Sequence, residues 1–463
     1  MKIVVWGLGE YYKRYKWLIE QYDVIAITDG NKNMWGNYVD GKMIIAPQEI
    51  LNFQWDYVYI TSTTVKPIYN SLLSMGVLKE KIRCYYDFID IGHRAKKTVY
   101  NLQDSPANKE MITLISQDLG VNGACRCLLL SANVYINNGY KVILASPIDG
   151  DMRNEFLKIG CTIIIDENLM ISNLIECEWL ANSIFLLINT LQMFYLLEKR
   201  NLDFPVIWWL HEPPYFYKCV CDERLEKINY SNLHIMPVSS VAGKAFSMVV
   251  SHVITQQLLY GIHDEFDNIE IKCETKKNQL IKFVTVGNVC EIKGIKFLIE
   301  VIDMLPEDVI RQCEFYIVGD DSSAYAEQAK EFCRVNDLPV HFMGLCNHNQ
   351  TMKILGNSDV FLCSSQIESM SIAVEEAMMM RKPVIVSDTT GNAQFVYGEN
   401  NGWVYKALDC EELRQTIEDC ISKREQLCMM GENGRQVFLR DFEYSIFEQR
   451  MLMVAKEMSR KCI

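Results

Sequence analysis

Two glutamates stand eight positions apart in Ser364-Ser365-Gln366-Ile367-Glu368-Ser369-Met370-Ser371-Ile372-Ala373-Val374-Glu375-Glu376-Ala377. A carboxylate can accept hydrogen bonds from two adjacent hydroxyls, the geometry a ribose or a hexose offers. A helix starting near Ser369 would aim the unpaired N–H groups of Ser369, Met370, Ser371 and Ile372 at an anion just after Glu368, with Glu376 about two turns in. Upstream, Val286-Gly287-Asn288-Val289-Cys290-Glu291-Ile292-Lys293-Gly294 runs from a strand into a loop. A glycine there lets the backbone approach a ligand, and Lys293 supplies a point charge for phosphate. Gly319, in Ile317-Val318-Gly319-Asp320, is a second strand-end glycine. Taken singly, each feature also reads as an ordinary turn or a solvated helix face.

Further candidates lie earlier in the chain. The strand Val206-Ile207-Trp208-Trp209-Leu210 ends in His211, a position from which an imidazole reaches a ligand by hydrogen bonding. Gly123, in Gln117-Asp118-Leu119-Gly120-Val121-Asn122-Gly123-Ala124, opens a helix after another strand, where backbone N–H groups face a phosphate or an acceptor oxygen. Gly7-Leu8-Gly9 follows the first strand and Asp29 ends the second, as in dinucleotide-binding folds, but Tyr12 occupies the third glycine's place and should obstruct close helix–strand packing. Asp149-Gly150-Asp151 imitates a manganese-binding DxD and is assigned to the turn and the next helix's N-cap. Tyr195 to Lys199, with Ser183 upstream, imitates a short-chain dehydrogenase pair and is taken as coincidence.

Elements that would position these groups form three series of β-branched runs alternating with helical patterns, the mark of α/β parallel sheets. The first has strands at Lys2 to Val5, Val24 to Thr28 and Tyr57 to Thr61, and a helix over Tyr69 to Met75. The second has Ile112 to Ser116, Lys141 to Ser146, Thr162 to Ile165, Ser183 to Ile188 and Val206 to Leu210. The third has Phe283 to Val286, Glu314 to Val318, Val340 to Met343, Val360 to Cys363 and Val384 to Ser387. The boundaries drawn are 1–92, a polar linker 93–110, 111–270, 271–440 and a final helix in 441–463.

The colinear order from Phe283 to Gly402 (Gly-x5-Lys-Gly, Val-Gly-Asp, a strand ending in Ser-Ser, Glu-x7-Glu-Ala, Lys382-Pro383-Val384, Asn401-Gly402) resembles the C-terminal domain of glycosyltransferase family 4. Gly123 and His211 match that family's N-terminal domain. The resemblance implies a GT-B fold of two facing Rossmann-like domains, here preceded by a small Rossmann-like module. It implies a retaining transfer of a sugar from a nucleoside diphosphate to the hydroxyl of a glycan or lipid-linked acceptor, in cell-surface polysaccharide or glycoconjugate synthesis. Lys293 and the amides of Ser369, Met370, Ser371 and Ile372 then face the phosphates, Glu376 the ribose, and Glu368 and His211 the donor sugar. Gly123 and Gly287 supply close backbone, the final helix crosses back to the middle domain, and neither metal nor cofactor is required. Three positions depart from the family: Asn288 stands where arginine is usual, Asp321 replaces a glycine, and Gln394 replaces a glutamate. The first module, through Asp29-Gly30-Asn31, Gly36 to Gly41 and Ala46-Pro47-Gln48-Glu49, resembles the domain preceding polysaccharide-biosynthesis sugar epimerases and dehydratases.

Length and charge frame these readings. At ~150 residues per domain, 463 residues suggest three domains. A net charge of −13 is the wrong sign for a protein bound to nucleic acid. The 17 cysteines include no Cys-x-x-Cys and read as reduced thiols of a cytoplasmic protein. The stretch Ser183 to Leu197 is too short and interrupted to span a membrane. Tyr11, Tyr12, Lys13, Arg14, Tyr15, Lys16 and Trp17 form an aromatic-basic stretch that would suit peripheral contact at a membrane's inner face, or a solvated surface. Two other functions fit: a nicotinamide-dependent sugar-nucleotide oxidoreductase or epimerase led by Gly7 and Gly9, and a non-catalytic nucleotide-sugar-binding protein.

Overall fold

The structure is a computed structural model that describes all residues except 63, 88–95, 102–108, 171–173, 175–176, 199–204, 253, 270–278 and 462–463. Part of the expected linker 93–110 and the expected domain boundary at 270/271 lie outside the described residues.

The first series folds as a six-stranded sheet: β1 (Lys2–Trp6), β2 (Asp23–Thr28), β3 (Tyr38–Val39), β4 (Lys42–Ile45), β5 (Tyr57–Ile60) and β6 (Ile82–Cys84), ordered β3-β4-β2-β1-β5-β6. β1, central and flanked by parallel β2 and β5, has Ile3, Val4 and Val5 fully buried. The second sheet contains β7 (Lys97–Tyr100), β8 (Met111–Ile115), β9 (Lys141–Ser146), β10 (Thr162–Asp166), β11 (Ser183–Asn189), β12 (Val206–Leu210) and β13 (Leu233–Pro237), ordered β13-β12-β11-β8-β9-β10-β7. The third contains β14 (Ile281–Val286), β15 (Cys313–Val318), β16 (Val340–Gly344), β17 (Val360–Cys363), β18 (Val384–Ser387) and β19 (Gly402–Tyr405), ordered β16-β15-β14-β17-β18-β19, with every pairing parallel. Continuously apolar runs such as Val206–Leu210, buried at every residue, suit strands covered on both faces.

Three sheets nevertheless make two compact units. The first unit comprises Met1–Ile235, Ala245–Thr255 and the chain from Ala455; the second comprises Met236–Lys244 and Gln256–Val454. The first two sheets share one hydrophobic core, in which Tyr11, Tyr15, Tyr85 and Tyr86 pack with Phe194 and Tyr195. Arg224 lies over the Tyr86 and Phe194 rings, 4.9 and 5.9 Å from their centres, and pairs with Asp87 and Glu198.

Several expectations need correction. Within the stretch read as a linker, Lys97–Tyr100 is an edge strand antiparallel to β10, because Thr98 and Val99 align with Ile165 and Ile164. The aromatic-basic stretch is a surface only in part: Tyr11, Tyr12 and Tyr15 are buried in the helix Glu10–Ile19, so these rings present no face to a membrane, while Lys13 is exposed and Arg14, Lys16 and Trp17 are half-buried. Tyr12 does not obstruct packing either; its hydroxyl leaves the helix and donates to Asp40 at 2.7 Å. The helix expected from Ser369 begins at Ile372 and runs to Met379. The final helix spans Tyr444–Lys461. Among the described residues no helix is long and apolar enough to cross a membrane.

Candidate functional site

In the third sheet, β14, β15, β17 and β18 all end on the same edge, where parallel sheets hold ligands. Close backbone packing there depends on glycine. Gly294 has φ +65, and a Cβ on it would stand 2.1 Å from the Ser364 carbonyl oxygen. A Cβ at Gly319 would meet the Gly287 carbonyl at 2.1 Å, and one at Gly391 the Ser369 carbonyl at 1.7 Å. These contacts bring the loops after β14, β15, β17 and β18 together.

Lys293 and Glu368, 75 positions apart, meet there at 2.5 Å, and Ser365 Oγ donates to the same Glu368 Oε2 at 2.9 Å. Burial works against the Lys293 ammonium, but the charge on Glu368 keeps its pKa above the usual lysine value. Glu368 is fixed through its backbone as well: its N–H donates to Thr389, and its carbonyl accepts from Gly391 N at 2.9 Å.

The four amides expected to face an anion are not equivalent. Asn392 Oδ1 accepts from Ser371 N at 2.7 Å, so this amide is already used. Ser369, Met370 and Ile372 keep amides without a protein acceptor among the described residues, and the buried Ser369 hydroxyl has no partner. A late helix start, three open amides and Lys293 leave a smaller cradle than four consecutive helical amides would. Glu376, in the helix Ile372–Met379, lies 3.8 Å from His348 Nδ1, and His348 Nε2 is 2.9 Å from Glu265. Sequence reasoning missed His348, although it follows the strand-end loop after β16, the same placement that marked His211.

At the C-terminal ends of the second sheet, His211 follows β12 with its ring 4.7 Å from that of Trp209. Burial pushes its pKa down to about 3, so the imidazole is neutral at ordinary pH, and its Nε2 has no partner among the described residues. Glu212, overlooked in the sequence, is 6% exposed and pushed up to about 7 by burial, against the pull of backbone amides that include its own and that of His211. Gly123 begins the helix Gly123–Asn137, capped by Asn122 Oδ1 accepting from Cys125 N at 2.8 Å. No Cβ clash requires glycine at 123; the sterically demanding one is Gly150, whose Cβ would stand 2.3 Å from the Leu119 carbonyl. Asp149 serves its turn, pairing with Arg153 and accepting from Gly150 N, whereas the next helix is preceded by Met152 and has no side-chain cap.

In the first sheet, Gly7 is required: φ is +113, and a Cβ would meet the Thr61 carbonyl at 3.0 Å. Gly9 is not, since nothing lies within 4 Å of a Cβ there. Asp29 is committed to its own loop, with Oδ2 accepting from Leu8 N and Oδ1 from Asn31 N, each at 2.9 Å. One oxygen of that carboxylate thus braces an amide of the glycine loop, and the other an amide of its own loop.

Residues 267–437, which carry Lys293, Glu368 and Glu376, match the family model "Glycosyl transferases group 1", and residues 1–83 match "C2185-like, N-terminal". The chain is 25% identical over 160 residues to the N,N'-diacetylbacillosaminyl-diphospho-undecaprenol alpha-1,3-N-acetylgalactosaminyltransferase of Campylobacter jejuni, and 24% identical over 174 residues to the lipopolysaccharide glucosyltransferase WaaG of Escherichia coli. Those matches cover 35% and 37% of this chain, and it spans only 40% and 46% of the two relatives. Among solved structures, a glycosyltransferase from Rickettsia africae superposes with TM-score 0.62 at 16% identity, covering 76% of this chain and 99% of that one. Anabaena HepE in complex with UDP and glucose gives 0.60 at 14% identity, covering 75% and 100%. The chain has the GT-B fold with an additional N-terminal sheet module, and the stretch that matches the glycosyl transferases group 1 model is the one that forms its third sheet.

Proposed function

We propose that this protein is a glycosyltransferase that moves a sugar from a nucleoside diphosphate to the hydroxyl of a glycan or lipid-linked acceptor. The observation that carries the reading is the meeting of Lys293 with Glu368 at the ends of the third sheet, where the open amides of Ser369, Met370 and Ile372 follow Glu368 in the chain. A diphosphate brings about two negative charges that need a cation and N–H donors, and this is the set supplied. Lys293 then exchanges part of its contact with Glu368 for a phosphate oxygen, which frees a Glu368 oxygen to accept from a sugar hydroxyl. Glu376 accepts from the ribose hydroxyls, and Gly287 and Asn288 lie along the nucleotide. Because Asn288 carries no charge, Lys293 bears more of the phosphate neutralisation than it would beside an arginine.

As charge builds on the leaving diphosphate, fixed donors stabilise it without reorganising, which is how such a site lowers a barrier. Neutral His211 contributes a hydrogen bond to the donor sugar and no proton in the physiological range. The reaction we assign retains anomeric configuration, with the leaving diphosphate helping to take the acceptor proton, and uses neither metal nor cofactor. The two curated relatives are named as sugar transferases on an undecaprenol-linked and a lipopolysaccharide acceptor; their names support an acceptor in surface glycan synthesis.

The test is a thermal-shift panel of nucleotide sugars followed by an assay of nucleotide release. One or more nucleotide sugars should stabilise the protein and release the nucleoside diphosphate slowly without acceptor. Absence of any shift across the panel contradicts the reading, and tight NAD binding with redox turnover would replace it with an oxidoreductase. Binding without release under any acceptor would leave a nucleotide-sugar sensor.

A further inference from the structure

The N-terminal module is fixed to the loops of the second sheet by one face of its first helix. Tyr11 and Arg14, three positions apart and therefore on the same side of the helix Glu10–Ile19, each reach a different loop. Tyr11 Oη donates to Gln192 Oε1 at 2.6 Å, and Arg14 Nη1 is 3.2 Å from Asp118 Oδ2. Both loops leave the C-terminal ends of strands, Gln117–Asn122 after β8 and Thr190–Met193 after β11.

What Asp118 does there makes the contact more than an ion pair. Its Oδ1 accepts from Gly120 N at 3.0 Å and is 3.4 Å from Asn122 Nδ2. Asn122 in turn caps the helix that begins at Gly123. The second loop is coupled to the same place: Asn189 Nδ2 donates to the Ala124 carbonyl at 3.1 Å, and Thr190 Oγ1 donates to Gln117 Oε1 at 3.3 Å. Thr190 sits at φ +78, a backbone state that a threonine adopts only when its surroundings impose it. Trp208 Nε1, donating to its carbonyl at 2.8 Å, is one such constraint.

From this chain of contacts we infer that the N-terminal module acts as a brace: Arg14 is a positioning residue that, through Asp118, sets the loop 117–122 and the helix start at Gly123. Asp118 is 6% exposed, so loss of Arg14 leaves a carboxylate in a poorly hydrated place with its remaining donors all in the loop. The loop then has reason to rearrange toward water. The module's own glycine turn, closed by Asp29, takes no part in this role.

Hydrogen–deuterium exchange on the full chain tests it, comparing wild type with Arg14→Gln and Arg14→Lys. In Arg14→Gln, the amides of Gly120 and Cys125 should exchange at least ~10-fold faster, those of β1 and β14 should be unchanged, and Arg14→Lys should restore part of the protection. Unchanged exchange at Gly120 and Cys125 overturns the brace; so does faster exchange throughout β1, which would make Arg14 a stability residue of its own module. The consequence for turnover rests on the glycosyltransferase reading: release of nucleotide from the donor should lose about tenfold in kcat with donor KM within about twofold of wild type. If wild type turns over no nucleotide sugar, that reading fails while the exchange data still decide the brace.

Discussion

The loop that leaves β1 at Gly7 and the loop that leaves β14 at Gly287 begin alike: a parallel strand, a glycine of positive φ, then a helical turn. After Gly7 the nearby acid, Asp29, spends both oxygens on amides of Leu8 and Asn31. After Gly287 the charged groups come from elsewhere: Lys293 lies on the following turn, Glu368 beyond β17, and open amides lie next to it. In one case glycine and carboxylate make a closed turn. In the other, glycines clear room for four loops to crowd together, and charges from distant parts of the chain converge without using up all their hydrogen-bonding capacity. A strand-end glycine alone does not separate the two loops; the polar groups left uncommitted around it do.

Substitutions can break this comparison at either loop. The largest effect is expected from Gly294→Ala, whose Cβ would stand 2.1 Å from the Ser364 carbonyl oxygen in a left-handed backbone. Nucleotide-sugar turnover should fall by at least ~10²-fold with a clear drop in melting temperature, whereas Gly9→Ala should leave both near wild type. Equal tolerance of the two would abolish the distinction. Next is Lys293→Gln, which removes the site's cation and leaves Glu368 with the Ser365 hydroxyl. Donor affinity should weaken by roughly 10- to 100-fold, measured by calorimetry, and a variant that binds as tightly as wild type would remove Lys293 from the phosphate site.

The edge of the second sheet lies between these cases, because buried Glu212 is neither closed off by a cation nor exposed. Its carboxyl titrates near 7 in the folded chain against an ordinary value of 4.5. Below pH 4.5 both folded and unfolded chains hold the proton and nothing is lost. As pH rises from 4.5 through 7 the unfolded chain ionises first, so stability falls by an amount on the order of 3 kcal/mol. Glu212→Gln should remove this slope, with a urea midpoint that gains on wild type between pH 5 and pH 8. A parallel pH dependence in both proteins would mean that Glu212 is hydrated. The smallest effect is expected from Asp29→Asn, which costs one loop hydrogen bond, about 1 kcal/mol, with no change in nucleotide-sugar affinity. A large loss of affinity would return the first module to the list of nucleotide sites.

Much of this was legible in the chain. Strands that are apolar on both faces, such as β9, β12, β17 and β18, have the bounds that their composition predicts, because a parallel strand buried by helices reads as an unbroken apolar run. The strands missed are short or at sheet edges. β3 and β4 form a pair around Gly41, β7 carries Lys97 and Thr98 toward solvent, and β19 begins at a glycine. Lys293, Glu368 and Glu376 could be picked out by spacing and order. That Lys293 pairs with Glu368, that Asn392 takes the Ser371 amide, and that His348 stands by Glu376 could not, since each joins separate strands or loops across the fold. Tyr11, Tyr12 and Tyr15 mislead for a related reason: a basic and aromatic helix looks the same in sequence whether its rings face water or a neighbouring sheet.

In the proposed function, the third sheet's edge binds a nucleoside diphosphate sugar, with Glu376 on its ribose. Steady-state kinetics of nucleotide release by wild type and Glu376→Ala, with the sugar nucleotide that gives the largest thermal shift, test it most directly. Glu376→Ala should lose at least about an order of magnitude in kcat/KM with a melting temperature close to that of wild type. Unchanged kinetics in Glu376→Ala would contradict it.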